Sequence, residues 1–312
     1  MFATLLGALP RPSGPDGQPI ADDDAAVVAV IEAQAASGLE PLTDGRLRTG
    51  ASFWEPSRDP AIVVDAWQFA VGHTDGVVKQ ALPGPYTLGR RGVAEDRDAS
   101  TLTWARILRE QVTALAEAGC QLIEIEESDA HLIGDDPAER RRFAEAHLNI
   151  LEGIGDVHLS LAITGGNADT AGIETILAAP YASLAVDLID GPDNWRLVTT
   201  TPGDRGIICG VVSTSETSDD GADLMLWAAA YASASEGRGA TRVGLGTAGG
   251  LGELSWEVAE RKMRALGEAA RLAQLPLSEM APHLDPRAIN IKSAAMGRYV
   301  PRSGRRSRRS LP

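Results

Sequence analysis

The sequence predicts an α/β protein of the (β/α)8 TIM-barrel class, and three observations carry that expectation. Short apolar runs alternate with amphipathic helical patterns from near the start almost to the end. About eight such units fit into about 275 residues, the usual size of one barrel of this kind. Of the 312 residues, 44% are hydrophobic, enough for one large core. A doubly wound open sheet shares the same alternation and is the competing architecture.

The elements follow in order. Candidate strands are residues 4–9, 41–44, either 61–64 or 86–88, then 122–126, 159–164, 184–188, 207–212 and 243–247. Each is a short apolar run of strand length. Helical patterns over 22–37, 100–118, 138–151, 171–179, 219–235 and 255–272 follow most of them. Several open on a Ser or Asp suited to an N-cap. The stretch 49–99 carries Trp54, Trp67, Pro56, Pro60, Pro83 and Pro85 and reads as an inserted segment covering one end of the barrel. Residues 277–297 read as a trailing segment packed on it. Beyond them Arg302, Arg305, Arg306, Arg308 and Arg309 sit among Ser, Gly and Pro, the composition of a disordered basic tail. The expected organisation is one barrel domain over 1–297 and a flexible basic tail over 298–312.

A formal charge of −14 argues against a surface built for nucleic acid, which needs clustered Lys and Arg. No run approaches the roughly 18 apolar residues of a membrane span. The start carries no basic leader ahead of its apolar stretch, so neither membrane nor export is expected. The two cysteines, Cys120 and Cys209, lie far apart and each abuts an apolar run, which suits reduced, buried thiols in the cytoplasm.

The most informative stretch is Cys120 to Asp129, because it sets carboxylates on and just beyond a strand that otherwise reads as buried. Ile123 and Ile125 alternate with Glu124 and Glu126, so the two glutamates share one face and Glu127 begins the following turn. Carboxylates so placed must find a cation or donors, or take up a proton. Two glutamates raising each other's proton affinity give a protonated acid beside an ionised base. A satisfied internal ion network is the plainer alternative. At the other expected strand ends stand Arg11, Asp44 and Arg46, Thr164 and Asn167, Asp187, and Ser213. Such a rim suits a small polar metabolite.

These strand ends resemble, one after another, the catalytic domain of the cobalamin-independent methionine synthase family. Gly7-Ala8-Leu9-Pro10-Arg11-Pro12 is similar to its Gly-Ser-Phe-Pro-Arg opening, and Thr43-Asp44-Gly45 to its Thr-Asp-Gly-Glu. Gly84-Pro85-Tyr86-Thr87 resembles its Gly-Pro-Val-Thr, and Ala118-Gly119-Cys120 through Glu127 its Ala-Gly-Cys followed by Gln-Ile-Asp-Glu-Pro. Gly210 to Thr214 and Leu254-Ser255-Trp256 through Met263 fit its closing strands and last helix. The resemblance spans roughly residues 3–275 and implies the barrel, with methyl transfer as the inherited expectation.

The departures are as informative as the matches. The family holds a zinc ion through one His, two Cys and a Glu, so that a bound thiol loses its proton. At the corresponding positions this chain has Ala162, Thr164, Gly249 and, for the glutamate, Asp187 as the nearest match. One oxygen ligand does not make a thiophilic site, so zinc is not expected. The Ser and Glu that the resemblance assigns to homocysteine are Ala8 and Arg46, which reverses the charge preference there. Glu126 and Glu127 match the family's Asp-Glu pair and are the expected catalytic carboxylates. Arg11, Asp44, Arg46, Glu124, Thr164, Asn167, Asp187 and Ser213 are the expected substrate contacts. His131 is retained as a site candidate, whereas His147 and His158 read as structural.

The expected activity is that of a divergent, zinc-independent transferase or lyase using carboxylates as acid and base on a small polar or anionic metabolite. No cofactor is assigned; the resemblance leaves folate, another methyl donor, or a partner protein carrying one open. The alternatives are a non-catalytic binding or partner protein on the same barrel, and ordinary zinc-dependent methyl transfer to a thiol.

Overall fold

The computed structural model describes residues 1–92, 96–218 and 220–280. The expected basic tail, and the trailing segment from residue 281, lie outside the described residues. Seven parallel strands form one sheet in the order β1-β7-β6-β5-β4-β3-β2. They are β1 (Phe2–Thr4), β2 (Gln80–Pro83), β3 (Leu122–Glu127), β4 (His158–Ile163), β5 (Ser183–Asp187), β6 (Gly206–Val212) and β7 (Val243–Thr247). Around them run α1 (Asp23–Ala36), α2 (Pro60–Val71), α3 (Pro85–Arg91), α4 (Arg97–Glu117), α5 (Pro137–Leu151), α6 (Ile173–Ile176), α7 (Trp195–Thr200), α8 (Ala222–Ala234), α9 (Trp256–Leu272) and α10 (Leu277–Met280).

The gap between β1 and β2 is where the expected strand at 41–44 belongs. That segment makes isolated bridges, Glu40 to Ala3 and Leu42 to Val78. Glu40 N donates to Ala3 O at 2.8 Å, Leu42 N to Val77 O at 2.8 Å, and Lys79 N to Leu42 O at 2.9 Å. Pro41 has no N–H to extend the ladder, which keeps this eighth position short of a full strand. The barrel architecture is therefore as expected.

Helix starts follow the sequence signals. Asp22, Asp59, Asp96 and Asp136 each accept a backbone N–H of the first turn, at 2.8, 3.0, 3.1 and 2.8 Å. Ser255 does the same for Val258 N at 3.4 Å. The first and third strands are corrections: β1 is Phe2–Thr4 rather than 4–9. Residues 61–64 lie in α2 and residues 86–88 in α3, while the third strand is Gln80–Pro83. Asp59-Pro60 supplies an N-cap and a first-turn proline, and Gly84-Pro85 repeats the proline placement, so both runs are helical. The segment 49–99 thus contains the barrel's own α2 and β2, with a 3-10 turn (Gly50–Trp54) and α3 as the additions.

Alternation along the strands sorts side chains between two layers. Ile123, Ile125, Leu161, Ile163, Leu184, Val186, Cys209 and Leu245 face the helices and belong to the main core. Leu6, Ala162, Ala185 and Ile208, with Phe2 packed on them, fill the barrel interior. Glu124 and Glu126 share the interior parity with Ala162, since Glu126 is in register with it. Glu127 takes the opposite parity and faces the helix layer.

Candidate functional site at the carboxyl ends of the strands

The turn after the 41–42 bridge positions the central cation. Asp44 Oδ1 accepts Arg46 N at 2.9 Å, and Gly45 and Arg46 both take left-handed conformations, φ 66° and 60°. That conformation costs a non-glycine residue about 1–3 kcal/mol, so its retention at Arg46 points to a positioned side chain. The guanidinium pairs with the Glu126 carboxylate, and both residues are buried. Its central carbon lies 3.4 Å from the Phe53 ring centroid and 5.7 Å from that of Trp54. Trp54 in turn lies 4.2 Å from the Arg91 guanidinium carbon, and Arg91 donates to Asp129 Oδ1 at 2.7 Å and Ser128 Oγ at 2.8 Å. The Gly50–Trp54 turn therefore roofs the pair with two aromatic rings.

Two polar atoms of this pair are left over. Arg46 Nε and Glu126 Oε1 are both buried and have no hydrogen-bond partner. Such groups are costly to leave unmet, by about 1–3 kcal/mol each. Burial raises the proton affinity of the neighbouring Asp44 carboxyl, the Glu126 charge adds to the effect, and the Arg46 N–H and the Arg46 and Arg48 charges oppose it. Asp187, buried at the end of β5, is likewise raised by burial, against backbone N–H groups of its own loop.

The remaining expected site residues separate. Glu124 lies one interior position below Glu126 and pairs with Lys79 Nζ at 2.7 Å. Burial raises its proton affinity, Lys79 lowers it, and the Glu126 charge raises it again. Glu127 belongs to a different place altogether. Its Oε1 accepts Tyr86 N at 2.9 Å, and its Oε2 accepts Thr87 N at 2.8 Å and Thr87 Oγ1 at 2.5 Å. His147 Nε2 lies 3.1 Å from Oε1. Glu127 thus closes the start of α3 on the helix side, and Gly84 is there because a Cβ would collide with its carboxyl carbon. Glu126 and Glu127, expected as one catalytic pair, are thus separated by the two-residue period of β3: Glu126 faces the barrel interior and Glu127 the helix layer.

Arg11 pairs with Asp23 of α1 and donates to Ile20 O at 3.0 Å. Asn167 exchanges bonds with Asp193, accepting its N at 2.8 Å and donating to Oδ2 at 3.3 Å, which ties two rim loops together. Asp187 Oδ1 accepts Ile189 N at 2.9 Å and Asp190 N at 3.0 Å. Ser213 N donates to Asp220, which pairs with Lys262. Thr164 is buried at the end of β4, its N donating to Glu127 O at 3.2 Å. His131 Nδ1 stands 3.0 Å from Ser128 O at the edge of the acidic segment. Sequence reasoning missed Phe53 over Arg46 and Lys79 beneath Glu124. The aromatic pair inside 49–99 was the available signal for the first. For the second there was none, because Lys79 precedes a strand too short and polar to recognise.

At the positions that the resemblance aligns with zinc ligands, Ala162, Thr164 and Gly249 offer neither an imidazole nor a thiolate. Ala162 is packed in the barrel interior, Cys209 faces the helix layer, and Cys120 Sγ is turned to Leu122 O at 3.3 Å. Among the described residues no group of three or more His, Cys, Asp or Glu converges. No helix among them is long and apolar enough to cross a membrane.

No protein-family profile and no curated protein matches the chain. Solved structures do. A B12-independent methionine synthase from Shewanella sp. W3-18-1, in complex with selenomethionine, is similar at a TM-score of 0.72 and 15% identity, over 87% of this chain and 97% of that one. A Listeria monocytogenes protein assigned as a vitamin-B12-independent methionine synthase is similar at 0.67 and 17%, over 87% and 97%. At these identities the likeness is one of fold: the chain is built on a barrel like that of these two proteins.

Proposed function

We propose that this chain is a methionine-synthase-like barrel enzyme acting without a zinc-thiolate centre on a small polar or anionic metabolite, in a transferase or lyase reaction. The observation that supports it is the buried Arg46–Glu126 pair under Phe53 with one orphaned donor, Arg46 Nε, and one orphaned acceptor, Glu126 Oε1. A ligand with an acidic oxygen and an adjacent hydroxyl or amine satisfies both at once. Arg46 then grips the acidic group, and Glu126 receives the proton of the adjacent donor. Asp44, whose proton affinity is raised by burial, stands at the edge of the pair.

The test is a thermal-shift screen of carboxylated and phosphorylated metabolites, amino acids, thiols and folates, combined with metal analysis of the purified protein. A carboxylated or phosphorylated metabolite is expected to raise the melting temperature saturably. Arg46→Met abolishes that response, while Glu126→Gln preserves binding and loses turnover. Stoichiometric zinc with thiol-dependent methyl transfer would overturn the reading. So would ligand responses unchanged in both variants, and a Glu126→Gln protein that retains biological activity favours a binding protein instead.

A further inference from the structure

The barrel interior also opens at the amino ends of the strands, on the far side of the apolar layer from Arg46 and Glu126. A cavity of about 380 Å³ lies there, walled by Phe2, Leu122 and Ile208, floored by Lys79 and Glu124, with Ala182 exposed at its mouth. Small residues shape this end of the interior: Ala162 and Ala185 fill the layer above, Gly206 lines the cavity itself, and Gly244 and Gly246 make room for the Phe2 ring and the Ile208 side chain of its walls.

The buried polar groups of this cavity are nearly all spoken for, while Asp204, Thr241 and Arg242 stand exposed at its rim. Lys79 and Glu124 neutralise each other at 2.7 Å, with both side chains at most 2% exposed. Ser183 Oγ bonds His158 Nε2 at 2.8 Å, and Thr4 Oγ1 donates to Pro41 O at 2.8 Å. Ser160 sits in register between Glu124 on one neighbouring strand and Ser183 on the other. It is 1% exposed, and its hydroxyl lines the cavity without a partner. An ion passing the rim to the buried end would lose its hydration beside the already compensated Lys79 and Glu124, at high cost. One water satisfies the hydroxyl but occupies only about 30 Å³ of an apolar-walled space.

We infer that this cavity is a second ligand site, separate from the carboxyl-end rim, for a small uncharged molecule with an apolar body and a single hydrogen-bonding group, an alcohol or amide, which meets Ser160. The experiment follows the Ile208 methyl resonance of the full chain, labelled at isoleucine methyls, during titration with cyclohexanol, methylcyclohexane and cyclohexanecarboxylate. Cyclohexanol is expected to shift the signal saturably at millimolar concentration, and the carboxylate to leave it unmoved. Ser160→Ala weakens the alcohol about five-fold, the loss of one hydrogen bond, and brings it level with the hydrocarbon. Ala182→Trp, a change at an exposed position, plugs the mouth and abolishes saturation. Shifts that rise linearly with concentration, equal affinity in Ser160→Ala, wild-type binding in Ala182→Trp, or tighter binding of the carboxylate each overturn the inference.

Discussion

Glu127→Ala is the substitution that best separates scaffold from site. The carboxylate accepts Tyr86 N, Thr87 N and Thr87 Oγ1, and both donor residues are wholly buried. Removing it leaves two buried N–H groups unmet, at about 1–3 kcal/mol each, and strands His147 without its carboxylate neighbour. The expected loss is about 3–5 kcal/mol, a large share of a typical net stability of roughly 5–15 kcal/mol. At about 2–4 °C per kcal/mol for a large domain, the melting temperature falls by roughly 6–20 °C. Glu127→Gln keeps one acceptor but turns amide hydrogens towards Thr87, so its loss falls between wild type and Ala. Urea unfolding followed by circular dichroism, beside a thermal scan, measures both. If Glu127→Ala unfolds with the wild type yet loses its ligand response, Glu127 acts at the mouth and the outward placement is wrong.

Other outcomes follow from the same geometry. Burial pushes the Cys120 thiol up to about 11 and the Cys209 thiol up to about 12, so at pH 8 native protein should give almost no reaction with a chromogenic disulfide reagent. Denatured protein should give two equivalents, and fast native labelling contradicts the packing. Lys79→Met leaves Glu124 buried and unpaired, costing about 3–5 kcal/mol at neutral pH. That loss shrinks as pH falls and Glu124 takes up a proton, and Lys79→Met with Glu124→Gln together recovers most of it; equal losses at pH 5 and pH 8 count against the pair. Asp44 binds its proton more tightly folded than unfolded, so its contribution is fully present below its unfolded value and is lost as pH rises through its raised folded value. Asp44→Asn should therefore flatten that limb of the stability profile and be the more stable protein at pH 7; a parallel profile excludes the assignment.

The parts of the fold that were legible in the sequence are those with strong local signals. The apolar runs after residue 120 become β3 to β7 within a residue or two, because fully buried parallel strands need continuous apolar sequence. The second and third barrel positions were harder. Pro41 interrupts one ladder, and Gln80–Pro83 is short, begins polar and ends in proline, so its strand character comes from its neighbours rather than from its own residues. At the candidate site, strand parity put Glu124 and Glu126 on one face. The partners were not legible, since Lys79, Arg46 and Thr87 reach β3 from 45, 80 and 40 residues away.

The pairing of β1 with β7 has a consequence for how the chain is made. Phe2 lies beside Gly244, and Leu6 N donates to Thr247 Oγ1 across a separation of 241 residues. Vectorial synthesis therefore delivers the first strand long before its last partner. Glu40 can dock early on one side of Ala3, while the other edge, flanked by Leu5 and Leu6, waits until β7 has left the ribosome. During that interval the nascent barrel carries an open, apolar strand edge, the kind of surface that recruits chaperones or mispairs with a neighbouring polysome.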